Sequence, residues 1–497
     1  MSVIRAAASI LLIRGFENNP EIYLVKRSPR LSFMAGLWAF PGGVVNASVD
    51  DAGSSGQHGV LAACARRELF EETGVLLTDV ACLPKTDRLH SIRLTMLSGP
   101  DDGMWSDLQA ALDDPAGYLT PICELITPAM SPVRYQTTFL IAHLSDGCSP
   151  SVIEGELTEG AFFQPAEALR LWDAGQMQIA PPNLMLLKIM AEYGLNGFPG
   201  AARAAAERLA AGALHPIYFT PGIFLAALRT PTLPPATTTN TFIVGTQDLY
   251  LIDPATPDTD EQDKLFEAMD KLILKGGTFR GILLTHYHGD HTGAVTIASQ
   301  RYRLPVRAHT LCYAHLPPGY LTGPPLMDGD FIDLGLSPDG SGSWGLTVIH
   351  TPGHSPDHMC FLDTRYRAAI IGDMVSTIST IVIDPPEGHM ATYLNSLEKL
   401  SVLPLGTLYP AHGTPHLDGN HLIQHYLAHR RRRENLIIAT LKNSDAPTAP
   451  ETLLPAVYAD VDPVMYPVAA RSLLAGLIKL EEEGFCSRNA AGDWQLA

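Results

Sequence analysis

A cluster of histidines directly after an apolar run constrains the fold of this chain more than any other feature. Three imidazoles and a carboxylate lie within six residues in the segment 285–291 (THYHGDH), and the run 281–284 (GILL), which reads as a buried strand, precedes them. Burying such side chains without partners costs free energy, and a bound metal is the usual solution. Imidazole and carboxylate ligands without thiolate are typical of Zn²⁺, with Mn²⁺ or Fe as alternatives. The run therefore predicts a metal site at the end of a strand.

Three more candidate ligands follow, two of them directly after apolar runs. They are His354, Asp373 and His412, in the segments TPGHS, IIGD and YPAHG. A single histidine in a loop is usually an ordinary polar residue, so each candidate alone carries little weight. The whole ordered set of imidazoles and carboxylates instead predicts a metal centre.

These motifs resemble the metallo-β-lactamase fold, an αββα sandwich, and Asn240 and Asp253 in the opening strands match the start of that fold. The resemblance implies a dinuclear centre with Zn²⁺ at both positions, or with Mn²⁺ or Fe in its place. Asp290 is expected to be catalytic as well as a ligand. The implied ligands are His286, His288 and His354 for one metal, Asp290, His291 and His412 for the second, and Asp373 as the bridge.

The chemistry expected from such a centre is hydrolysis. Water bound to zinc can have a pKa near 7, so hydroxide is available at neutral pH to attack a carbonyl carbon or a phosphorus. A thiolate leaving group, with a pKa of about 8.5, needs little help from an acid. Thioesters are therefore natural substrates, as in the glyoxalase II branch of the superfamily. Only a short stretch separates Asp373 from His412, which disfavours a β-CASP nuclease, because those enzymes carry a large insertion there.

The region after about residue 418 is predicted to be mostly helical and to end in two short strands around the turn 490–493, as in a winged helix. With the metal motifs and the arginine run 430–433, it resembles the β-lactamase-like protein 2 branch, which includes single-strand endoribonucleases. An RNA-processing phosphodiesterase with an accessory or sensing first domain is therefore the alternative function. The formal net charge of −18 disfavours nucleic acid. We interpret the arginine run as a solvated helix face in preference to an RNA contact.

A second cluster of charged residues lies in the segment 67–75 (RELFEETGV). Glu68, Glu71 and Glu72 are spaced i, i+3 and i+4, so a helix places them on one face. Like charges this close repel one another unless a cation lies between them. Oxygen ligands favour Mg²⁺ or Mn²⁺, and these ions in turn favour a phosphate substrate. An exposed acidic helix is the alternative interpretation of this segment alone.

The segment 67–75 resembles the second half of the Nudix box, and the loop 40–43 (FPGG) resembles its entry. Nudix hydrolases cleave nucleoside diphosphates linked to another group, and the resemblance implies Mg²⁺ held by the three glutamates, with Glu72 as a catalytic residue. Longer stretches, 26–43 and 126–139, are similar to coenzyme A diphosphatase-like Nudix proteins. The expected substrate-binding residues are Arg27, Gly42, Gly43 and Arg67.

The box departs from the family pattern between its loop and its helix. About ten extra residues stand there, and Gly59 occupies the place of the first glutamate of the box. The insertion leaves the metal-binding helix intact. A non-catalytic ligand sensor is the alternative role of this domain, since one acidic residue is missing at its usual distance.

The order of the motifs predicts an α/β multidomain chain. We expect a Nudix α/β/α sandwich at 1–195, a helical connector and linker at 196–225, a metallo-β-lactamase αββα sandwich at 226–417 and a winged-helix-like domain at 418–497. The apolar runs are too short to cross a bilayer. Seven scattered cysteines without a CxxC pair disfavour a disulfide framework and favour the cytoplasm. The expected substrates are small nucleotides and thioesters. Acyl-coenzyme A contains both a diphosphate and a thioester bond.

Overall fold

The computed structural model describes residues 3–15, 19–31, 33–51, 56–79, 83, 85–99, 103–145 and 147–497. The chain divides into two compact units, Met1–Pro221 and Gly222–Ala497. Residues 52–55 of the insertion in the Nudix-like box lie outside the described residues. Among the residues that are described, none of the helices has the length and apolar character needed to span a membrane.

The first unit is built around one seven-stranded mixed sheet. Its main path runs β3-β2-β1-β6-β5, while β4 pairs with β1 and β7 pairs with β2. Strands β1 and β2 pair in antiparallel fashion, whereas β1 and β6 are parallel. The elements are β1 (Ile4–Arg14), β2 (Glu21–Arg27), β3 (Trp38–Ala39), β4 (Gly42–Val44), α1 (Ala47–Asp50), α2 (Gly56–Thr73), α3 (Asp87–Ser98), α4 (Met104–Ala110), a 3₁₀ turn (Pro115–Gly117), β5 (Thr120–Ile126), β6 (Arg134–His143), β7 (Leu157–Phe163), α5 (Pro165–Asp173), α6 (Pro181–Ala210) and β8 (Ile217–Thr220).

Helices cover both faces of this sheet because the central strand β1 is apolar on both sides. Ile10 and Leu12 belong to a buried cluster with residues of α2, whereas Leu11 and Ile13 belong to a second cluster with residues of α5 and α6. Successive side chains of a strand point to opposite faces, so these two clusters lie on the two sides of the sheet. The α/β/α sandwich expected from the sequence is confirmed.

Helix α6 carries the first unit past residue 195, where the sequence suggested that the domain ends. The helix is interrupted at Gly194, which has a φ of 64°, and then continues to Ala210. Phe198, Ala202 and Ala206 of its second half are buried in the same cluster as the sheet. The first half of the expected connector 196–225 is therefore packed as part of this unit, because its alanine-rich helix has an apolar face.

The second unit contains two further sheets and most of the helices of the C-terminal half. Its elements are β9 (Ile223–Arg229), β10 (Thr238–Gly245), β11 (Asp248–Ile252), α7 (Thr259–Leu274), β12 (Thr278–Leu283), α8 (Gly289–Thr292), α9 (Val295–Tyr302), β13 (Pro305–Arg307), a 3₁₀ turn (Thr310–Ala314), β14 (Leu321–Thr322), β15 (Phe331–Leu336), β16 (Ser343–His350), β17 (Met359–Asp363), β18 (Ala369–Gly372), α10 (Met390–Ser401), β19 (Leu408–Pro410), α11 (Gly419–Lys442), α12 (Pro450–Val457), a 3₁₀ turn (Pro463–Met465), α13 (Tyr466–Glu482), β20 (Cys486–Arg488) and β21 (Trp494–Leu496).

The two sheets of the second unit pack face to face between layers of helices. One follows the order β14-β13-β12-β11-β10-β9, and the other follows β15-β16-β17-β18-β19. The Phe242 and Tyr409 rings meet edge to face, with centroids 5.7 Å apart. Buried Asn240 also links the sheets, because its Nδ2 donates to Pro410 O and Gly413 O, both at 2.8 Å. Helices α7 and α9 contact the first sheet and α10 and α11 the second, which confirms the αββα sandwich.

A small helical domain completes the second unit. Helices α12 and α13 pack with the end of α11 around a buried cluster that includes Leu473, Leu477 and Trp494. Strands β20 and β21 form the antiparallel hairpin expected from the sequence. The backbone of Thr448 pairs with that of Trp494 through two hydrogen bonds, of 2.8 and 2.9 Å. The winged-helix-like arrangement predicted for the end of the chain is confirmed.

Three arginines of the run in α11 contact other residues of the second unit. Arg430 is buried and donates to Ile381 O, and Arg433 donates to Val457 O at 2.5 Å. Arg431 is more exposed and pairs with Glu398 at 3.2 Å. The solvated helix face expected for the run is therefore wrong for Arg430 and Arg433, whereas Arg431 and Arg432 are exposed.

The cysteines depart in one respect from the reducing environment that their spacing favours. Cys64, Cys123, Cys312, Cys360 and Cys486 are free and buried. Cys148, in contrast, is disulfide-bonded. The expectation was wrong at this position, because spacing along the sequence does not report which thiols are close in space.

Candidate functional site

A buried carboxylate holds the start of the histidine-rich loop. Asp253 follows β11 with a φ of 48°, and it is 1% exposed. Its Oδ1 accepts a hydrogen bond from Thr285 N at 2.8 Å, and its Oδ2 accepts one from Thr285 Oγ1 at 2.6 Å. These two bonds fix the turn that leads from the end of β12 into the segment 286–291.

Three imidazoles form the first group of donor atoms. His286 Nε2 lies 2.9 Å from His288 Nδ1, and His354 Nε2 lies 3.0 Å from the same Nδ1 atom. His354 comes from the loop between β16 and β17, so both sheets contribute to the group. The geometry allows these three nitrogens to hold one metal ion.

Asp290, His291 and His412 form a second group of possible ligands. Asp373, directly after β18, lies between the two groups. Its Oδ1 is 3.7 Å from His291 Nε2 and 3.4 Å from His412 Nε2. Its Oδ2 is 3.4 Å from His354 Nε2, on the side of the first group. One carboxylate oxygen therefore faces each group, which is the placement that a bridging ligand requires.

Most of the imidazoles are oriented by a hydrogen bond at their other ring nitrogen. His291 Nδ1 lies 2.9 Å from Asp253 Oδ2, His354 Nδ1 lies 2.9 Å from Val382 O, and His412 Nδ1 lies 3.1 Å from Thr238 O. An acceptor at Nδ1 keeps the proton there and leaves Nε2 free to bind a metal. These outer contacts set the tautomers that a metal centre needs.

The donor atoms of the cluster fit divalent cations. His291 Nε2 and Asp373 Oδ1 are buried and have no hydrogen-bond partner within the described residues. Burial and the neighbouring imidazoles hold the pKa of His286 well below its usual value, and burial lowers the pKa of His354 to about 4. Burial opposes ionisation of Asp373, but His412 and its neighbours hold the pKa of that carboxyl well below its usual range. Neutral imidazoles around an ionised carboxylate are the ligand states that metals require.

Two imidazoles of the second group behave differently in the metal-free chain. Burial acts to lower the pKa of His291, but hydrogen bonding to Asp253 and the charge of Asp373 raise it to about 9. The pKa of His412 is also raised, since Asp373 outweighs the effect of burial. Metal binding to these nitrogens therefore releases protons.

The structure adds two residues that sequence reasoning missed. Buried His358 accepts a hydrogen bond from Asp373 N at its Nε2, at 3.0 Å, and so orients the residue between the two groups. Glu387 Oε1 lies 3.0 Å from His288 Nε2. His358 follows His354 by only four residues and could have been noted, whereas no spacing in the sequence points to Glu387.

The carboxylate helix of the first unit is α2. Glu72 Oε2 accepts a hydrogen bond from Gly42 N at 3.0 Å, which joins the helix to the glycine loop. A Cβ atom at Gly43 would lie 2.4 Å from the Glu68 carboxylate, so a larger residue there would displace that carboxylate. Unlike the histidine cluster, Glu68, Glu71 and Glu72 form no group of donor atoms within 4.8 Å of one another in the described part of the chain.

The carboxylates of the three glutamates on α2 repel one another. Burial, followed by the charge of Glu68, raises the pKa of Glu71 to about 7 and raises that of Glu72 well above its usual value. The charge of Arg27 acts in the opposite direction on Glu72. Arg27 Nε is buried and has no hydrogen-bond partner among the residues described. A cation between these carboxylates would relieve the repulsion, and oxygen ligands suit Mg²⁺ or Mn²⁺.

Arg67 lies inside the unit and pairs with an acid that the sequence pattern did not reveal. Its Nε donates to Asp50 Oδ1 at 2.9 Å, and its Nη1 donates to Glu68 Oε1 at 2.8 Å. Asp50 is fully buried and lies among the extra residues between the glycine loop and α2. Asp50 thus supplies a carboxylate near the helix although the usual position is occupied by glycine. Arg67 is placed to position Glu68, which differs from the substrate contact expected for it.

Three family models match the chain in sequence order. The NUDIX domain model matches residues 3–106, the metallo-beta-lactamase superfamily model matches residues 234–412, and the beta-lactamase associated winged helix domain model matches residues 449–494. Each match covers the region in which the corresponding motifs or elements lie.

Curated relatives match part of the chain. The Lactamase-like protein notP of Aspergillus sp. (strain MF297-2) is 31% identical over 206 residues, which are 41% of this chain and 58% of that protein. The Atrochrysone carboxyl ACP thioesterase nsrC of Aspergillus novofumigatus (strain IBT 16806) is 32% identical over 210 residues, with the same two coverages of 41% and 58%. The chain thus matches less than two thirds of the length of either relative.

Among solved structures, a metallo-beta-lactamase family protein from Thermus thermophilus is 21% identical. That match covers 56% of this chain and 100% of the other, with a TM-score of 0.46. The family models, the two kinds of sandwich and the cluster of possible metal ligands are consistent with one another. The chain therefore combines a NUDIX domain, a domain of the metallo-beta-lactamase superfamily whose imidazoles and carboxylates could hold divalent metal ions, and a beta-lactamase associated winged helix domain, in that order.

Proposed function

We propose that the protein is a metal-dependent hydrolase with two active sites. The second unit cleaves a thioester or similar ester, and the first cleaves the diphosphate of a nucleoside-diphosphate compound related to coenzyme A. The observation that carries the proposal is the position of Asp373, whose two carboxylate oxygens face different groups of imidazoles. This arrangement suits a dinuclear centre better than any structural role for seven ionisable side chains.

In the second unit, two Zn²⁺ ions would supply an activated water at neutral pH and positive charge against the developing oxyanion. Zinc suits the donor set, because imidazole and carboxylate ligands occur without thiolate. The chain itself orients three of the imidazoles through Asp253, Val382 O and Thr238 O. We assign to Asp290, whose Oδ2 lies 3.7 Å from His412 Nε2, the acceptance of a proton from the attacking water.

A thioester is the favoured substrate of this site. The thiolate that leaves has a pKa of about 8.5, so its departure needs little acid assistance. One relative that is 32% identical over part of the chain carries the name of a carboxyl ACP thioesterase, which supports the same bond type.

In the first unit, Mg²⁺ or Mn²⁺ would neutralise the charge of a diphosphate and hold it beside α2. Glu68, Glu71 and Glu72 are the proposed ligands. Glu72, fixed at its Oε2 by Gly42 N, is also the proposed acceptor of a proton from the attacking water. The buried Nε of Arg27 offers a donor to an anionic group of the substrate.

The two sites are proposed to act on one class of metabolite. Acyl-coenzyme A contains both a thioester and a diphosphate, so one molecule presents the bond that each site cleaves. The coexistence of both sites in one chain motivates this link.

The proposed compartment is the cytoplasm. Five cysteines are free thiols, and free thiols persist in reducing surroundings. The disulfide at Cys148 is the observation that opposes this assignment. Fractionation of the cells that make the protein tests it, and recovery of the chain outside the cytoplasm contradicts it.

The deciding experiment uses acetyl-coenzyme A, free coenzyme A and a single-stranded RNA as substrates for the metal-loaded protein, with products identified by mass. We expect wild type to release 3′,5′-ADP and free thiol. Glu72→Gln should abolish release of the nucleotide only, and His288→Ala should abolish release of thiol only. Acetyl-coenzyme A left intact at both bonds contradicts the shared substrate.

Two alternatives correspond to other outcomes. Cleaved RNA with intact coenzyme A supports the RNA-processing function, and RNA affinity should then fall steeply as salt rises. Unchanged activities in Glu72→Gln support a first domain that senses a ligand without cleaving it.

A further inference from the structure

The segment 381–389 (IVIDPPEGH), here called the bridging loop, contacts two ligands of the first metal group. Val382 O lies 2.9 Å from His354 Nδ1, and Glu387 Oε1 lies 3.0 Å from His288 Nε2. Each contact is at the ring nitrogen that does not face the donor group. The bridging loop therefore orients two of the three imidazoles of that group.

The other side of the bridging loop is attached to helix α13 of the winged helix domain. Ser472 Oγ accepts a hydrogen bond from Ile383 N at 3.2 Å. Arg471 Nη1 lies 3.2 Å from Asp384 Oδ2, and His389 Nε2 lies 3.0 Å from a carboxylate oxygen of Glu482. Three side chains of one helix thus hold the loop along its length.

The bridging loop also receives a contact from α11. Arg430 donates to Ile381 O, and its guanidinium lies 5.2 Å from the centre of the Tyr393 ring. Arg430 is buried, so this contact fixes the start of the loop from inside the unit.

The second metal group is held in a different way. His291 is oriented by Asp253 at the end of β11, and His412 is oriented by Thr238 O of β10. These partners belong to the sheet, and His291 and Asp253 are 0% and 1% exposed at their side chains. His288 is 30% exposed at its side chain, so packing restrains its ring less, and Glu387 is its contact at Nε2.

We propose that the winged helix domain positions the ligands of the first metal, with α13 holding the bridging loop and Glu387 acting as the positioning residue for His288. The inference rests on the metal centre of the proposed function but not on its substrate. Removing an outer partner of a metal ligand weakens metal affinity by about 10- to 100-fold. The C-terminal domain then serves the metal centre of its own chain.

The contacts predict a graded effect. Glu387 touches a ligand directly, so Glu387→Ala should weaken one of the two metal-binding steps by about 10- to 100-fold. The pairs from Arg471 and Glu482 are half exposed, and exposed ion pairs contribute little individually. The double variant R471A/E482A should therefore weaken the same step by a smaller factor, roughly two- to tenfold.

The test is a zinc titration of the full-length, metal-free protein against a competing chelator that reports free zinc. Glu398→Ala is the matched control, because Glu398 forms an exposed pair with Arg431 on neighbouring helices and touches no ligand. We expect the second step to be unchanged in every variant and Glu387→Gln to recover part of the lost affinity. Zinc binding is measured without substrate, so an absence of thioesterase activity does not affect the result.

A spectrum of bound Co²⁺ separates positioning from general destabilisation. A positioning role predicts altered visible absorption bands of Co²⁺ in Glu387→Ala, with thermal unfolding of the metal-free protein unchanged. Wild-type zinc affinity and a wild-type Co²⁺ spectrum in Glu387→Ala would overturn the proposal. So would an equal loss at both binding steps that accompanies a lower unfolding temperature.

Discussion

The two candidate metal sites of this chain are assembled in opposite ways. The histidine centre draws its ligands from loops at the ends of strands in two sheets, and Asn240 is among the side chains that link those sheets. The glutamate site uses one face of one helix, α2. Its carboxylates lie farther apart than 4.8 Å as a set, among the described residues, while the histidine ligands meet that distance.

The two sites also differ in how far they are preorganised for a metal ion. Around Asp373 the neighbouring imidazoles favour the charged carboxylate, and its pKa is held low. Around Glu71 the neighbouring Glu68 favours the protonated acid, and its pKa is raised to about 7. The histidine centre is therefore preorganised in shape and mostly in charge, whereas the glutamate site needs its cation to overcome both protons and repulsion.

The largest effect is expected from removing the residue between the two metal groups. Asp373→Ala should release at least one metal and lower kcat/KM for thioester hydrolysis by about 10³-fold or more, because the positive charge of that metal no longer stabilises the developing oxyanion. Metal content by elemental analysis and thiol release measure the two effects. Diphosphate cleavage by the first unit should be unchanged.

The control for this variant is Asp263→Asn, an exposed aspartate on α7. It should retain full metal content and activity. If Asp373→Ala keeps both metals, Asp373 does not bridge them and the contrast between the two sites fails.

A smaller effect is expected from filling the space between the glycine loop and α2. A Cβ atom in Gly43→Ala would meet the Glu68 carboxylate at 2.4 Å, so that carboxylate must move. Misplacing a ligand by about 1 Å lowers rates by about 10²-fold, and we expect such a loss in coenzyme A hydrolysis. Thioester hydrolysis should be unaffected. Both rates can be followed by mass analysis of products from one reaction.

Gly117→Ala is the matched control, because a Cβ atom there meets open space. Equal effects of the two alanines on the diphosphatase rate would show that the close approach at Gly43 does not matter. A loss of both hydrolytic activities in Gly43→Ala would show damage beyond the first unit's site.

The sequence revealed the candidate ligands because they are local signals at the ends of strands. The segment 286–291 presents four of them together, and the fold resemblance ordered the remaining three. Glu387 was missed because it lies 99 residues from its partner His288, and only the folded chain brings them together. Asp50 was missed because it lies among the extra residues between the glycine loop and α2. The spacing of the Nudix box therefore does not predict its contact with Arg67.

The sequence predicted the layered architecture of the domains better than it predicted their boundaries. Both sandwiches and the final hairpin follow from apolar runs, turn residues and family resemblance. The end of the first unit could not be predicted in this way. The second half of α6 is rich in alanine, so the sequence suggested a linker where the structure has a buried helix. The arginine run illustrates the same limit, since charge alone does not tell that Arg430 is buried.

A third prediction concerns the buried pair that replaces the missing acid of the box. Asp50 is 0% exposed at its side chain and Arg67 is 11% exposed, so Asp50→Ala leaves a buried guanidinium with fewer partners. Removing one member of a buried pair costs about 3 kcal/mol. We expect a corresponding loss of protection of the α2 amides in hydrogen exchange of the full chain. The amides of β10 should be unchanged.

The double variant Asp50→Asn with Arg67→Met distinguishes pairing from packing. If the pair matters, the double variant is less destabilised than the sum of the two single variants, because both single variants remove the same interaction. Equal hydrogen-exchange protection of the α2 amides in wild type and Asp50→Ala would contradict the role of Asp50 as the acid that pairs with Arg67 of α2.

The smallest predicted effect is the pH dependence of cation binding at the glutamate site. Glu71 has a pKa of about 7 in the metal-free chain, because of burial and then of Glu68. Its folded pKa lies above the ordinary value, so the folded, metal-free state holds a proton that Mg²⁺ or Mn²⁺ must displace. With one such proton, the ionised fraction falls about tenfold from pH 8 to pH 6, and affinity for the cation falls with it.

The same proton stabilises the metal-free first unit at low pH. Since the folded state binds more protons than the unfolded chain above about pH 4.5, stability falls as pH rises towards 7 and is recovered when the cation binds. Binding isotherms for Mn²⁺ at pH 6 and pH 8 measure the effect, and Glu71→Gln should bind more weakly with a flatter dependence. The low-lying pKa values of His286 and Asp373 predict no such proton displacement at those two ligands. An Mn²⁺ affinity at α2 that is independent of pH would remove the electrostatic half of the contrast and leave only the geometric one.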